Sequence, residues 1–202
     1  MKTTRKTAKR TGYHLSAVAA WFIFWTLTQG FFINSDWLGL FSGDPATAVF
    51  LASLYCLVVM LMMGVIFRKH LTAIFPRQRF IWLYILIVPA IAYMLTMQST
   101  VGTLPMSVYL FMIVVTVFWQ DVLTFGVLQT RLENASPRYA WLIVAVVFWL
   151  GHIIFDLSGV VADPSGALLV LVAAFGFAWL RKITGSFYLS NVLHILVYMI
   201  LL

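Results

Sequence analysis

The basic residues of this 202-residue chain are confined to a few short segments, which long apolar stretches separate. All 13 Lys and Arg residues lie in the segments 1–13, 68–79, 131–138 and 181–182. The segments that alternate with these carry no basic residue and lie at 34–46, 99–105 and 161–165. Basic loops of membrane proteins stay cytoplasmic during insertion. The alternation therefore predicts a multi-spanning membrane protein whose N-terminal tail, 1–13, is cytoplasmic.

Composition supports the same class of protein. Hydrophobic residues make up 63% of the chain and charged residues 9%, whereas about a quarter of a soluble domain is charged. The net charge of +7 lies at the predicted membrane edges, so we expect contact with anionic lipids and no nucleic-acid partner. No linker divides the chain, and we expect one integral membrane domain over 1–202.

The apolar stretches predict an all-α, polytopic membrane helix bundle with about seven transmembrane helices. The predicted spans are 14–33, 47–67, 80–98, 106–131, 139–160, 166–180 and 187–202. Most of them approach the ~20 residues that a helix needs to cross a bilayer. The predicted location is a plasma membrane, of bacterial type, with the N-terminus inside.

Four titratable residues and one amide interrupt these apolar spans. They are Gln120, Asp121, His152, Asp156 and His194. A charge at the centre of a membrane helix costs about 2.5–3.5 kcal/mol, so such residues are candidates for function. At a rise of about 1.5 Å per residue, Asp121, His152 and His194 lie roughly 15, 20 and 11 Å from the cytoplasmic edge. These depths predict that the three side chains converge on one buried polar site.

Helical spacing arranges the polar residues in one stripe on each of three helices. The stripes are Asp121 with Thr124, then Phe148 with His152 and Asp156, and finally Asn191 with His194 and Tyr198. Structural explanations stay open for some of them. Either histidine alone is compatible with a structural hydrogen-bonding role, and Asp156 lies close enough to the outer end of its span to reach water. Asp121 must be protonated, hydrated or paired with a histidine, because the only Lys or Arg in any span is Arg131, at the end of its own.

Three short motifs in the C-terminal part of the chain resemble those of a known family. Gln120-Asp121, three residues further Phe125, and then Gly126 resemble a first motif of two glutamates, three residues, arginine and usually glycine. Phe148 to His152 fits Phe-x-x-x-His. The Thr-Gly-Ser turn at 184–186, followed by His194, resembles a turn and a third motif, His-x-x-x-Asn/Asp. Together they resemble the CAAX-protease and bacteriocin-processing (CPBP, or Abi) family, with a core over 106–202.

The resemblance implies an intramembrane endopeptidase that hydrolyses a peptide bond of a membrane-associated peptide or protein. Carried over, His152 would help to activate water and His194 would donate to the oxyanion. The chain departs from the family at Gln120, which stands at the water-activating glutamate. It departs again at Phe125, which replaces the arginine, and at Tyr198, which replaces the Asn/Asp.

Four functions remain open on the sequence. In an active, divergent protease, Asp121 would be the base, through a water shared with His152, and His194 with Tyr198 would hold the oxyanion. An inactive, protease-like membrane protein would instead bind a partner or peptide in an immunity or regulatory role. No cofactor is expected, but zinc is an alternative because Asp121, His152 and His194 are ligand types of catalytic zinc. A proton-coupled transporter would use the same residues as a relay.

Overall fold

The computed structural model describes residues 2–30, 44–70, 80–97 and 99–200, and in these segments the backbone is almost entirely helical. The α-helices are α1 (Lys2–Trp25), α2 (Pro45–Ile66), α3 (Ile87–Met97), α4 (Met106–Asp121), α5 (Gln129–Ala135), α6 (Ala140–Phe155), α7 (Leu157–Ala162), α8 (Pro164–Thr184) and α9 (Tyr188–Ile200). π-Helical segments follow α1 at Thr26–Gly30 and join α4 to α5 at Val122–Leu128. 3-10 segments lie at Arg68–His70 and Ile81–Leu86, and a two-stranded antiparallel ribbon pairs β1 (Thr100–Val101) with β2 (Leu104–Pro105). The predicted all-α class is confirmed.

Three of the described helices are long and apolar enough to cross a membrane. They are Pro45–Ile66, Met106–Ala135 and Pro164–Thr184. Shorter apolar helices cover Ile81–Met97, Ala140–Phe155 and Tyr188–Met199. The structure thus supports a helical membrane protein, while the number of seven spans stays a prediction. Parts of that prediction, including Arg77, Arg79 and the loop 34–43, lie outside the described residues.

The helix that runs from α4 through the π segment to α5 is central to the bundle. Most of its side chains are buried, whereas few of those of α2 and α8 are. The exposed side chains of α2 include Leu61, Met62 and Val65, as expected for a surface that faces lipid. The central helix therefore holds its polar residues away from the apolar perimeter.

Helix α1 and the π segment that follows it are joined to the central helix by two buried hydrogen bonds. The indole Nε1 of Trp21 donates to Thr124 Oγ1 over 3.0 Å, and the indole Nε1 of Trp119 donates to Thr28 Oγ1 over 2.9 Å. The predicted tail 1–13 is not a separate segment, because α1 begins at Lys2 and continues into the first apolar stretch. Its side chains up to residue 11 lie outside the described residues.

The fifth predicted span, 139–160, is interrupted in the structure. Helix α6 ends at Phe155, and Asp156 begins α7 by accepting a hydrogen bond from Gly159 N at 3.1 Å. Asp163 begins α8 in the same way, through Gly166 N at 3.0 Å. Hydrogen bonds from Ser165 and Gly166 lower the pKa of the Asp163 carboxyl below its ordinary value. Both aspartates are thus N-caps, whose side chains satisfy otherwise free N–H groups at the start of a helix.

Candidate active site

Asp121 is fully buried at the last residue of α4, and both of its carboxylate oxygens have partners. Oδ1 accepts a hydrogen bond from His194 Nδ1 at 3.0 Å, and Oδ2 accepts one from Asn191 Nδ2 at 2.9 Å. Asn191 and His194 both lie on α9, three residues apart, so one helical face presents both donors. The buried acid is thus paired, which is one of the three states that its depth in the span allowed.

Asn191 connects Asp121 to a residue of another helical segment. Its Oδ1 lies 2.5 Å from the hydroxyl of Tyr84, which belongs to the 3-10 segment before α3. Its Nδ2 also lies 3.5 Å from the backbone carbonyl of Val117. Four side chains, Tyr84, Asn191, Asp121 and His194, therefore form one continuous chain of hydrogen bonds.

Gln120 and His152 form a second polar pair beside the first. Gln120 Nε2 lies 3.2 Å from His152 Nε2, and His152 Nδ1 lies 2.9 Å from the carbonyl oxygen of Phe148. A carbonyl oxygen only accepts, so Nδ1 carries the proton and Nε2 accepts from the amide of Gln120. His152 is thus held as a neutral imidazole, with an amide where the family has a carboxylate.

The two pairs are neighbours, but they are not joined by a direct hydrogen bond. Gln120 and Asp121 are consecutive, and the ring of Phe148 lies 4.5 Å from the His152 ring and 6.0 Å from the His194 ring between centroids. The predicted acid and two imidazoles therefore lie in one region, with Asp121 directed to His194. In the part of the chain that the structure describes, no group of three His, Cys, Asp or Glu side chains is placed to hold a metal ion.

Tyr198 lies at the edge of this region. Its ring is 5.4 Å from that of His194, and its backbone carbonyl accepts a hydrogen bond from Tyr109 Oη at 3.1 Å. Its side chain helps to line a cavity of about 420 Å³, together with His152 and Asp156. The lining residues of this cavity come from α6, α7, α8 and α9, and the His152 side of the site faces it.

Apolar side chains replace a charge at the family's arginine position. Phe125 is fully buried in the π segment, and its ring lies 5.3 Å from that of Phe148 and 6.0 Å from that of Phe177. Phe177 in turn lies 4.8 Å from the His194 ring. Aromatic rings therefore pack around the His194 side of the site, while His152 lines the cavity beside it.

Some expectations about the stripes need correction. Asp156 does not continue the stripe of Phe148 and His152, because α6 has ended at Phe155 and Asp156 is exposed as a cap. Thr124 does not share the direction of Asp121, since it accepts from Trp21 of α1. The π segment that begins at Val122 explains the second difference, because its i→i+5 bonds turn the chain less per residue than an α-helix does.

Sequence reasoning missed the residues that α1 and the segment before α3 contribute. Trp25 is fully buried, and its ring packs edge-on against His152 at 5.4 Å. Tyr84 contacts Asn191 from outside the three motifs. An aromatic residue in an apolar span is ordinary in sequence, so only the packing of the helices identifies these two.

The fold and the site together define a class: an all-α membrane protein with a buried acid–imidazole pair on its central helices. A comparison with family models is more specific, because residues 102–200 match the model described as type II CAAX prenyl endopeptidase Rce1-like. This part of the chain is therefore similar to the CAAX prenyl endopeptidase family, which confirms the resemblance of the motifs. Comparisons with curated proteins and with solved structures gave no significant match.

Proposed function

We propose that the protein is an intramembrane endopeptidase that hydrolyses a peptide bond of a membrane-associated polypeptide. The observation that carries the proposal is the hydrogen bond of 3.0 Å between His194 Nδ1 and the fully buried Asp121. A carboxylate that accepts from Nδ1–H holds an imidazole in the tautomer whose Nε2 is a base. Among the described residues, Nε2 of His194 has no hydrogen-bond partner, so it is free to accept from water.

The division of roles follows from these contacts. Asp121 is fully buried and each of its oxygens accepts a hydrogen bond from α9, which favours His194 as the base and Asp121 as the group that orients it. His194 Nε2 takes a proton from water, and the water oxygen forms a bond to the carbonyl carbon. Asp121 stabilises the imidazolium that results. The imidazolium then protonates the amide nitrogen as the C–N bond breaks, and an amine and a carboxylic acid are released.

Gln120 and His152 are suited to the developing oxyanion. Gln120 uses one amide N–H to hold His152 Nε2, and its second N–H can donate to the substrate's carbonyl oxygen. A fixed donor in a site shielded from bulk water stabilises such an oxyanion strongly. This assignment differs from the sequence-based one, in which Asp121 was the base and His194 with Tyr198 held the oxyanion.

Placement in the membrane is part of the proposal. Each of the seven predicted spans overlaps a described helix, and the basic segments alternate with segments that lack basic residues. We therefore propose seven crossings of a bacterial plasma membrane by one domain, with a cytoplasmic N-terminus. Lipids and a peptide or protein substrate are the expected partners.

A cleavage assay tests the proposal. Full-length protein in liposomes is incubated with a farnesylated CAAX peptide, its unprenylated form and a pool of membrane-anchored peptides, and mass spectrometry detects the products. We expect cleavage by the wild type and a loss of about 10²–10⁴-fold in kcat for His194→Gln, the usual contribution of a general base. The matched control is His14→Gln, because His14 contacts Ser136 outside the site. Equal rates for both variants, or no cleavage above protein-free liposomes, would contradict the proposal.

One observation favours a second function, which is binding without catalysis. An amide, Gln120, faces His152 where the family has its water-activating glutamate, and an amide is not a useful base. A protein of this kind would hold a peptide in the same region and leave it intact. Recovery of a cross-linked but uncleaved peptide from the liposome assay would favour this alternative.

A further inference from the structure

Tyr84 lies outside the residues that match the family model, yet it ends the hydrogen-bonded chain that reaches His194. We propose that Tyr84 is a positioning residue, which fixes the orientation of Asp121 and the tautomer of His194 through the amide of Asn191. This inference rests on the proposed function only in its kinetic consequence. Its structural part, the control of His194 by Tyr84, can be tested in a protein that cleaves nothing.

The direction of every bond in the chain follows from donor and acceptor chemistry. A backbone carbonyl only accepts, so the atom of Asn191 that faces Val117, and with it Asp121, must be its amide nitrogen. The amide oxygen then faces Tyr84, whose hydroxyl must donate. Asn191 is fully buried, so water cannot take the place of a missing partner.

This series of hydrogen bonds fixes the tautomer of His194, the proposed base. Asn191 fixes Oδ2 of Asp121, which leaves Oδ1 to accept from Nδ1–H of His194 and puts the lone pair on Nε2. Without the Tyr84 hydroxyl, the amide oxygen of Asn191 is buried without a donor. The Asn191 amide is then held less firmly in this orientation. As a result, the Asp121 carboxylate and the His194 imidazole lose part of their alignment.

The protein contains a second tyrosine that serves as a matched control for removing the Tyr84 hydroxyl. Tyr109 also donates its hydroxyl to α9, but its acceptor is the backbone carbonyl of Tyr198 at 3.1 Å. Tyr109→Phe therefore deletes a comparable hydrogen bond without touching Asn191. The ring of Tyr84 also packs against Tyr188 at 6.1 Å, so Tyr84→Phe keeps that contact and loses only the hydroxyl.

Nitrogen NMR of the histidine rings tests the structural part. Full-length protein with ¹⁵N-labelled histidine is placed in lipid nanodiscs, and the His194 signals are identified by their loss in His194→Gln. We expect a protonated Nδ1 and an unprotonated Nε2 in the wild type and in Tyr109→Phe. In Tyr84→Phe, both His194 shifts should move toward the average of the two tautomers. Shifts identical to those of the wild type would overturn the inference.

Kinetics test the functional part, with Asn191→Leu as a second variant. We expect Tyr84→Phe to lower kcat by about three- to tenfold, the value of one hydrogen bond, while KM changes by less than about twofold. Asn191→Leu should lower kcat at least as much and move the same His194 shifts. This variant therefore still tests the inference if Tyr84→Phe fails to fold. The double variant should be no slower than Asn191→Leu, because the two residues act in series.

The possible failures are distinguishable. A wild type without hydrolysis would refute the proposed function, while the His194 shifts would still decide the role of Tyr84. Multiplied losses in the double variant, or an equal loss of kcat in Tyr109→Phe, would refute the series arrangement and leave the cleavage activity established.

Discussion

A buried acid paired with an imidazole is the residue that most constrains this site. Asp121 is fully buried, and its carboxylate accepts hydrogen bonds from an imidazole and an amide on α9. Breaking such an arrangement leaves an unpaired polar group in an apolar surrounding, which is costly. Both carboxylate oxygens are thus already hydrogen-bonded to α9, and Asp121 has no surface exposed to solvent. Asp121 is therefore placed to orient His194.

Gln120→Glu separates the two candidate functions by the sign of its effect. If His194 is the base, a new carboxylate next to His152 repels the developing oxyanion and removes an amide donor, so kcat should fall by about 10²-fold or more. If the chain is an inactive relative, the same change restores the family's glutamate and should create cleavage. The liposome assay measures both outcomes, and Gln129→Glu, a buried amide that contacts Ala178 and Glu133, controls for added charge. A rise in kcat would contradict the role of His194 as the base.

At the scale of the elements, the first helix completes a site that the family domain does not enclose alone. Trp21 bonds to the π segment, and Trp25 packs on His152. Gly151, next to His152 on α6, permits this approach, because a Cβ there would lie 2.8 Å from Trp21 Cη2 and 3.1 Å from Trp25 Cε2. The close packing of α1 on α6 thus depends on the absence of one side chain.

Gly151→Ala should therefore destabilise the protein although alanine favours helices. Overpacking a core of this kind costs about 1–3 kcal/mol, which equals or exceeds the gain of about 1 kcal/mol that alanine brings in a helix interior. Unfolding of the purified protein in detergent, followed by circular dichroism, measures the free energy. The matched control is Gly176→Ala on α8, where a Cβ would meet nothing within 4 Å. A stability of Gly151→Ala equal to that of the control would show that α1 does not pack there.

At the scale of the whole molecule, the sequence was informative wherever polarity contrasted with the apolar background. The all-α class and the family were predicted, and both are confirmed. Asp121 and His194 were identified because a carboxylate and an imidazole are rare in such spans. The partners of these residues could not be identified in the same way, because Tyr84 and Trp25 are ordinary in a membrane helix. The end of α6 at Phe155 was also missed, since no Pro or Gly marks it.

Orientation in the membrane stays a prediction that single cysteines can test. Cys56 is the sole cysteine and is buried, so Cys56→Ala gives a background into which exposed sites are introduced. The alternation of basic segments predicts that Asn134 is cytoplasmic and that Ser158 faces the other side. In intact cells, a membrane-impermeant maleimide should label Ser158→Cys and spare Asn134→Cys, and inside-out vesicles should reverse the pattern. Labelling of both sites from one side would require an even number of crossings between them, and the single crossing by α6 would then be wrong.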